Sequence, residues 1–360
     1  MSARTRALWI SAALFATLCT TRDAGTETPV QASRPAHLRD TGLYSDWSTR
    51  TIAPANLPYS PQYPLWSDGA RKARWLYLPP GRFIDGSNPD VWQFPVGTRL
   101  WKEFRFGRRA ETRFIEHTRS GWQFASYVWN DDESDAVLAP ADGIRQSVPI
   151  ADGVRHAIPS QADCRACHMA GPVRVLGVTA LQLSPDRDPN VPHAETPQPG
   201  DVDLAGLVAR RLLRRFPREL LQEPPRIEAP SATARAAMGY LHANCGGCHS
   251  DAGELSSLEF GLNYRLTGPL DWGPAVLLTA VSRPSRFKMP DADDIVERVC
   301  AGRPEKSVVL ARMASRNPLV QMPPLGSRVV DAEAVALVRR WIAEDVAPGS
   351  PVPAARQGGK

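Results

Sequence analysis

The pentapeptide Cys245-Gly246-Gly247-Cys248-His249, with an earlier counterpart in Cys164-Arg165-Ala166-Cys167-His168, is the stretch on which the reading of this 360-residue sequence turns. Two thiols separated by two residues lie on one short helical turn. There each can add to a vinyl group of the same porphyrin, while the next residue presents its imidazole to the iron from the proximal side. The expectation is two covalently attached c-type haems, held through Cys164, Cys167, Cys245 and Cys248, with His168 and His249 as iron ligands. A structural zinc site would draw on both pairs, yet 81 positions separate Cys164 from Cys245, far wider than compact finger spacings. A thioredoxin-like dithiol needs a βαβ setting that neither copy has, and ordinary disulfides leave the two histidines unexplained.

Working outward from the second motif, an Ala-rich helix is predicted from Ser231 to Ala243, starting just after a proline. Gly239 on it offers a point of close approach, where Trp341 of a later helix is expected to pack. That later helix runs from Asp331, a good N-cap, to Glu344, with Val335, Val338, Trp341 and Ile342 on one face. Between the two, Gln321-Met322-Pro323-Pro324-Leu325-Gly326 holds a methionine in a proline-braced loop, 73 residues beyond His249. A thioether so held can close the sixth coordination position, and a Met/His pair raises the reduction potential. Met322 is therefore the expected second axial ligand; the alternative for such a methionine is filling a core.

The first half of the chain has another character. Seven of the ten tryptophans fall between Trp47 and Trp129, which predicts one aromatic core there. Runs at Arg74–Leu78, Arg99–Phe106, Arg113–His117 and Trp122–Trp129 mix aromatic and β-branched residues, with turn signals between them. Short strands at this spacing predict a sandwich or small barrel. After Ser160, Ser184 to Gly200 and Pro217 to Pro230 read as loops or linkers. Asp203 to Phe216, with apolar Leu204, Leu207, Val208, Leu212 and Phe216, reads as an amphipathic helix. The fold class expected is α+β and multidomain. A β-rich sandwich or barrel-like domain (42–160) precedes a first haem-attachment region with linkers (161–230), a mainly α haem region (231–346) and a disordered tail (347–360).

Apolar content of 42% and charged content of 22% suit a folded soluble protein. A net charge of +5 and a pI near 9.0 favour acidic partner proteins or anionic lipid and do not argue for nucleic acid. Arg4 and Arg6 followed by the 11-residue apolar stretch Leu8 to Leu18 read as a secretory signal within residues 1–22, which places the mature protein in the periplasm. Cys19 sits where a lipidated cysteine would sit, although Leu18 stands where a small residue is usual. Otherwise Cys19 is cut away with the signal. Ser67-Asp68 with His117 lacks a nucleophile elbow, and the acidic cluster Asp131, Asp132, Glu133 and Asp135 fits no calcium loop. Cys300 reads as a small buried residue.

Residues 231–346 resemble a class I cytochrome c domain in the helix leading into Cys245, the Met322-Pro323-Pro324 loop and the closing helix around Trp341. From about Tyr59 onward the whole chain is similar to bacterial diheme c-type cytochromes of unassigned role. It shares with them Tyr63-Pro64-Leu65-Trp66-Ser67-Asp68-Gly69, Phe94-Pro95-Val96-Gly97-Thr98 and Tyr127-Val128-Trp129-Asn130. The resemblance implies electron transfer with redox partner proteins. It departs from a tandem cytochrome at the first motif, which no methionine-proline loop follows. Met169 is expected on the wrong side of that haem. His156, His193, Met238, His242 and Met289 remain as distal ligands, Met289 first among them; the alternative is an open sixth position. That alternative leaves a diheme peroxidase-like enzyme or a haem-based sensor as rivals to an electron carrier.

Overall fold

Strict alternation along Arg99–Phe106 sets the architecture: Trp101 and Glu103 point to one side, Leu100, Lys102 and Phe104 to the other. The computed structural model describes residues 34–151, 153–267, 275–290 and 292–346; the expected signal, Cys19 and the tail from 347 lie outside them. In chain order the first strands are β1 (Tyr44–Asp46), β2 (Thr51–Ile52), β3 (Leu57–Pro58), β4 (Arg71–Tyr77), β5 (Ile84–Asp85) and β6 (Arg99–Phe106). They are followed by β7 (Arg108–Thr118), β8 (Gly121–Trp129), β9 (Ala136–Leu138), β10 (Pro149–Ala151), β11 (Val154–Arg155) and β12 (Leu213–Arg214). The helices are α1 (Gln161–His168), α2 (Leu204–Ala209), α3 (Glu219–Gln222), α4 (Ala232–Asn244), α5 (Ala275–Thr279), α6 (Val308–Met313) and α7 (Ala332–Glu344).

One antiparallel sheet in the order β3-β4-β6-β7-β8-β9 dominates the β-rich part. Among the described residues β3 and β9 do not pair, so the sheet is open and the expected sandwich or barrel is not formed. The single aromatic core divides for the same reason. On one face Trp101, Phe114, Tyr127 and Trp129 pack with Leu38, Leu43 and Tyr44. On the other, Leu76 and Leu100 pack with Trp92, Val175, Leu183, Leu204, Leu207 and Phe216. A two-sided sheet cannot send all its aromatics to one place.

From Pro35 the chain clusters as one compact unit, and residues from the 161–230 stretch complete the sheet's second core. Among the described residues the region after Ser160 is less helical than expected: only α4 and α7, of 13 residues each, exceed eight. The helix expected at Asp203–Phe216 stops at Ala209. The chain reverses through Arg211 and Arg215, both with φ of 59°, and β12 joins β5 in parallel at Leu213 and Ile84. Two left-handed residues cost roughly 1–2 kcal/mol each. Burying Leu213 and Phe216 offsets this, at about 1.5–3 kcal/mol each.

Helices α4, α6 and α7 close a third core around Met238, Leu241, Leu310, Leu337, Val338 and Trp341. Gly239 is a point of close approach, and the nearest side chain there is Tyr63, while Trp341 packs in the same core as Met238 and Tyr240. A Cβ on Gly239 would lie 1.9 Å from Tyr63 Cε1. The loop between β3 and β4 thus lies directly on the helix that leads to the second motif.

Candidate functional site

Each motif sits at the end of a capped helix. Ser160 Oγ accepts the Asp163 N–H at 3.0 Å, and the Asp163 carboxylate accepts the Ser160 N–H at 2.9 Å. This reciprocal box starts α1, which carries Cys164, Cys167 and His168, all half-buried. Beyond it Arg174 folds back, donating to the carbonyls of Met169 at 2.9 Å and Gly171 at 2.7 Å. The Arg174 carbonyl lies 2.8 Å from His168 Nδ1. A carbonyl only accepts, so Nδ1 carries the proton and Nε2 keeps its lone pair. Burial lowers His168 to about 4, so the ring is neutral at pH 7. This is the orientation and charge state that a metal-ligating imidazole needs.

The second motif begins where α4 ends. Ser231 caps that helix through the Ala234 N–H, and Asn244 Oδ1 accepts the Trp66 N–H at 2.7 Å just before Cys245. Gly246 cannot be another residue without displacing backbone, since its Cβ would lie 2.6 Å from the His242 carbonyl oxygen. His249 packs on Phe260 with ring centroids 4.8 Å apart. Its buried Nδ1 has no hydrogen-bond partner among the described residues, and burial lowers the ring to about 4.

The methionine loop is braced on both sides. The Met322 N–H donates to the Arg312 carbonyl at 3.0 Å, and Gln321 Nε2 donates to the carbonyls of Pro323 and Pro324. Beyond it, Asp68 Oδ1 accepts the N–H groups of Arg328 and Val329 at 2.6 and 2.9 Å, and Trp66 Nε1 donates to the Val329 carbonyl. One segment, Tyr63 to Asp68, therefore clamps α4 and the loop after Met322 together. Sequence inspection marked it only as a shared phrase.

Between these parts lies a cavity of about 450 Å³, lined by Cys245, Cys248, His249 and Met322 with Leu262, Phe260, Phe287 and Val308. Its size suits a bound organic group, and its walls are mostly apolar. Two thiols, an unpartnered imidazole and a thioether facing one apolar space form a donor set that fits a covalently tethered haem. The thiols are unpaired, and burial pushes Cys245 up to about 12 and Cys167 up to about 11. Neither is a stabilised thiolate of the kind a redox-active dithiol carries. Among the described residues no three of His, Cys, Asp and Glu converge as metal ligands. A c-type haem needs no such cluster.

The two motifs, 81 positions apart, meet in space. The Glu254 N–H donates to the Ala170 carbonyl at 3.2 Å. A Cβ on Gly171 would lie 2.8 Å from the Gly247 carbonyl oxygen, and one on Gly253 only 1.8 Å from that of Ala170. Glycines let the two post-motif loops lie backbone to backbone, and the Cys248 thiol bears electrostatically on Cys167. Sequence distance was thus no guide to separation.

Of the expected distal candidates of the first motif, His156, His193 and His242 each have a hydrogen-bond partner and Met238 is in a core. His156 is buried with Nε2 2.9 Å from Glu111 Oε1. Its Nδ1 is 3.7 Å from Asp68, an electrostatic contact too long for a hydrogen bond. Burial opposes its charge, yet the Asp68 and Glu111 carboxylates outweigh that and raise it. His193 Nε2 lies 2.9 Å from Asp331, and its ring packs on Trp66. Met238 is buried in the third core. His242 Nδ1 accepts the Tyr264 N–H at 3.0 Å, which leaves the proton on Nε2 in the neutral ring. Met289 is half-buried, two residues beyond Phe287 of the second cavity. Cys300 is buried, as a small apolar residue would be.

Comparison with protein-family models, with curated proteins and with solved structures finds no match to this chain.

Proposed function

We propose that this chain is an exported diheme c-type cytochrome that passes electrons one at a time in the periplasm. The observation that carries the reading is the single apolar cavity onto which Cys245, Cys248, His249 and Met322 all face, although Met322 is 73 residues beyond His249. Residues 231–346 act in this reading as a class I cytochrome c-like region, and α1 carries the other attachment site. A bound haem supplies one-electron chemistry at an iron that alternates between two oxidation states.

What the protein supplies is position and environment. Cys245 and Cys248 would hold the porphyrin by thioether bonds, and His249 and Met322 would ligate its iron. Phe260, Leu262 and Phe287 exclude water, which together with a Met/His ligand pair favours a raised potential. Cys164 and Cys167 hold the second group, and Arg174 fixes the His168 tautomer. Contact between the Ala170-Gly171 and Gly247–Glu254 backbones places the two attachment points together, which supports transfer between them. Redox partner proteins dock transiently, and acidic ones suit the net charge of +5. Membrane attachment, if any, is through a lipid at Cys19.

The test is a pyridine haemochrome assay with mass measurement on protein produced with a c-type maturation system. Two haems per chain are expected. A colourless chain, or one holding only zinc at the thiols, ends the proposal.

A further inference from the structure

A second and much smaller cavity, of about 20 Å³, adjoins the methionine loop. Met322 and Cys245 form part of its wall, and Tyr240, Arg316, Asp331 and Val335 another part. Three pieces of chain meet there: the end of α4, the segment between α6 and Met322, and the start of α7, which Asp331 caps. Most of the surrounding packing is apolar, yet this small space has a cation and a carboxylate on its wall.

Both charged groups are left incomplete. Asp331 is only 3% exposed. Its Oδ1 accepts the Ala334 N–H at 3.1 Å and lies 2.9 Å from His193 Nε2. Its Oδ2 is buried and has no hydrogen-bond partner among the described residues, and the same holds for Arg316 Nε. Arg316 Nη1 donates to the Ser315 carbonyl, which does not satisfy Nε. Asp331 and the Tyr240 hydroxyl bear on Arg316 electrostatically, without closing a hydrogen bond to that nitrogen. A buried donor and a buried acceptor left unmade are each costly. One molecule that accepts from Nε and donates to Oδ2 completes both. A cation there is opposed by Arg316 and an anion by Asp331, so a small neutral molecule fits. Roughly 10–15 Å³ is enough for one water, which needs two to four polar partners. The space and the donor set both meet that requirement.

We propose that this cavity binds one water molecule, which links Arg316 to Asp331 beside Met322 and makes Arg316 a positioning residue for that methionine. The bridge ties the segment after α6 to the start of α7, the two supports between which the Met322 loop is strung. The water site stands on protein atoms alone. Only its effect on Met322 as an iron ligand rests on the haem reading above.

The test uses the full matured chain. A crystal structure is expected to show one ordered water within hydrogen-bond distance of Arg316 Nε and Asp331 Oδ2. Urea melts of two variants at the cavity wall read the same site by its chemistry. Val335→Ile fills the space and displaces the water, and is expected to raise the unfolding constant about ten-fold by stranding both polar atoms. Val335→Thr keeps the space and adds a hydroxyl, and is expected to cost much less. A dry apolar void reverses that order, because it welcomes the methylene and strands the hydroxyl. The reversed order, or a site without water density, overturns the proposal. For the positioning role, Arg316→Met is expected to weaken the methionine-to-iron charge-transfer band of the ferric second haem and lower its potential. Arg316→Gln, which keeps an N–H donor at the same place along the side chain, is expected to restore most of both. An unchanged band in Arg316→Met overturns that role. A parent chain with no second haem, or with no such band, removes the reading of Met322 as ligand and the positioning role with it, while the order of the two Val335 variants still decides the water site.

Discussion

The two attachment motifs share five-residue chemistry and almost nothing else. The second ends a 13-residue helix and faces an apolar cavity that Met322 shares. The first rides on an eight-residue helix laid against a sheet face carrying Lys102, Arg113, Glu111 and Ser126. Both histidines are kept neutral by burial, but only His168 has its Nδ1 anchored, on the Arg174 carbonyl. The contrast teaches that one five-residue motif can be set in two unlike surroundings, a mostly apolar cavity and a polar sheet face, so the motif alone does not fix its environment.

The sharpest way to break this comparison is to remove each tether in turn. Cys164→Ala with Cys167→Ala, and separately Cys245→Ala with Cys248→Ala, should each lower the mass by one haem and leave the other attached. In the otherwise intact chain Met322→Ala should turn the second haem high-spin and lower its reduction potential, by spectropotentiometry. A Met322→Ala protein with an unchanged second-haem spectrum would place the sixth ligand elsewhere.

A smaller effect separates the two regions by pH. Burial alone would raise Glu111, but Arg113 and His156 outweigh it and hold the carboxyl down to about 2. A carboxyl with a depressed folded value adds stability that is present above its unfolded value, near 4.5, and is lost as pH falls towards 2. The loss amounts to about 3 kcal/mol, at roughly 1.4 kcal/mol per pH unit of difference. Urea melts between pH 6 and pH 2.5 should show that slope. Glu111→Gln should be less stable at pH 6 and lack this part of it, with the first haem's spectrum affected more than the second's.

The smallest expected effect lies in the second region. Gly239→Ala drives a methyl group into Tyr63 and should cost roughly 1–3 kcal/mol as overpacking. A companion Tyr63→Phe, which keeps the ring and removes only the hydroxyl beside Arg235, should change stability less. If Gly239→Ala is neutral by urea melt, the loop between β3 and β4 does not brace α4 as drawn.

How much of this was legible in advance differs by element. Strand Arg99–Phe106 could be read to the residue because its aromatic residues are bounded by the turn signals at Gly97 and Gly107, although its burial does not alternate, the sheet being covered on both faces. Helices α4 and α7 were equally plain, since Ser231 and Asp331 cap them and their apolar residues recur at helical spacing. The helix expected across Asp203–Phe216 failed because Leu212, Leu213 and Phe216 are apolar for another reason. They pack against β5 and the sheet's second core, and periodicity cannot tell one buried surface from another. Gly239 was rightly marked as a close approach, but its partner came from 176 positions away.

The sequence by itself determined which atoms are available: four thiols in two pairs, an imidazole after each, and a methionine braced by prolines. Such local patterns survive any fold, because covalent spacing and helical geometry fix them. Only the tertiary structure decided that Met322 shares a cavity with His249 and that the loops after the two motifs touch at Ala170 and Glu254. These depend on long-range packing of whole faces, where burial of many side chains, and not any one of them, sets who meets whom.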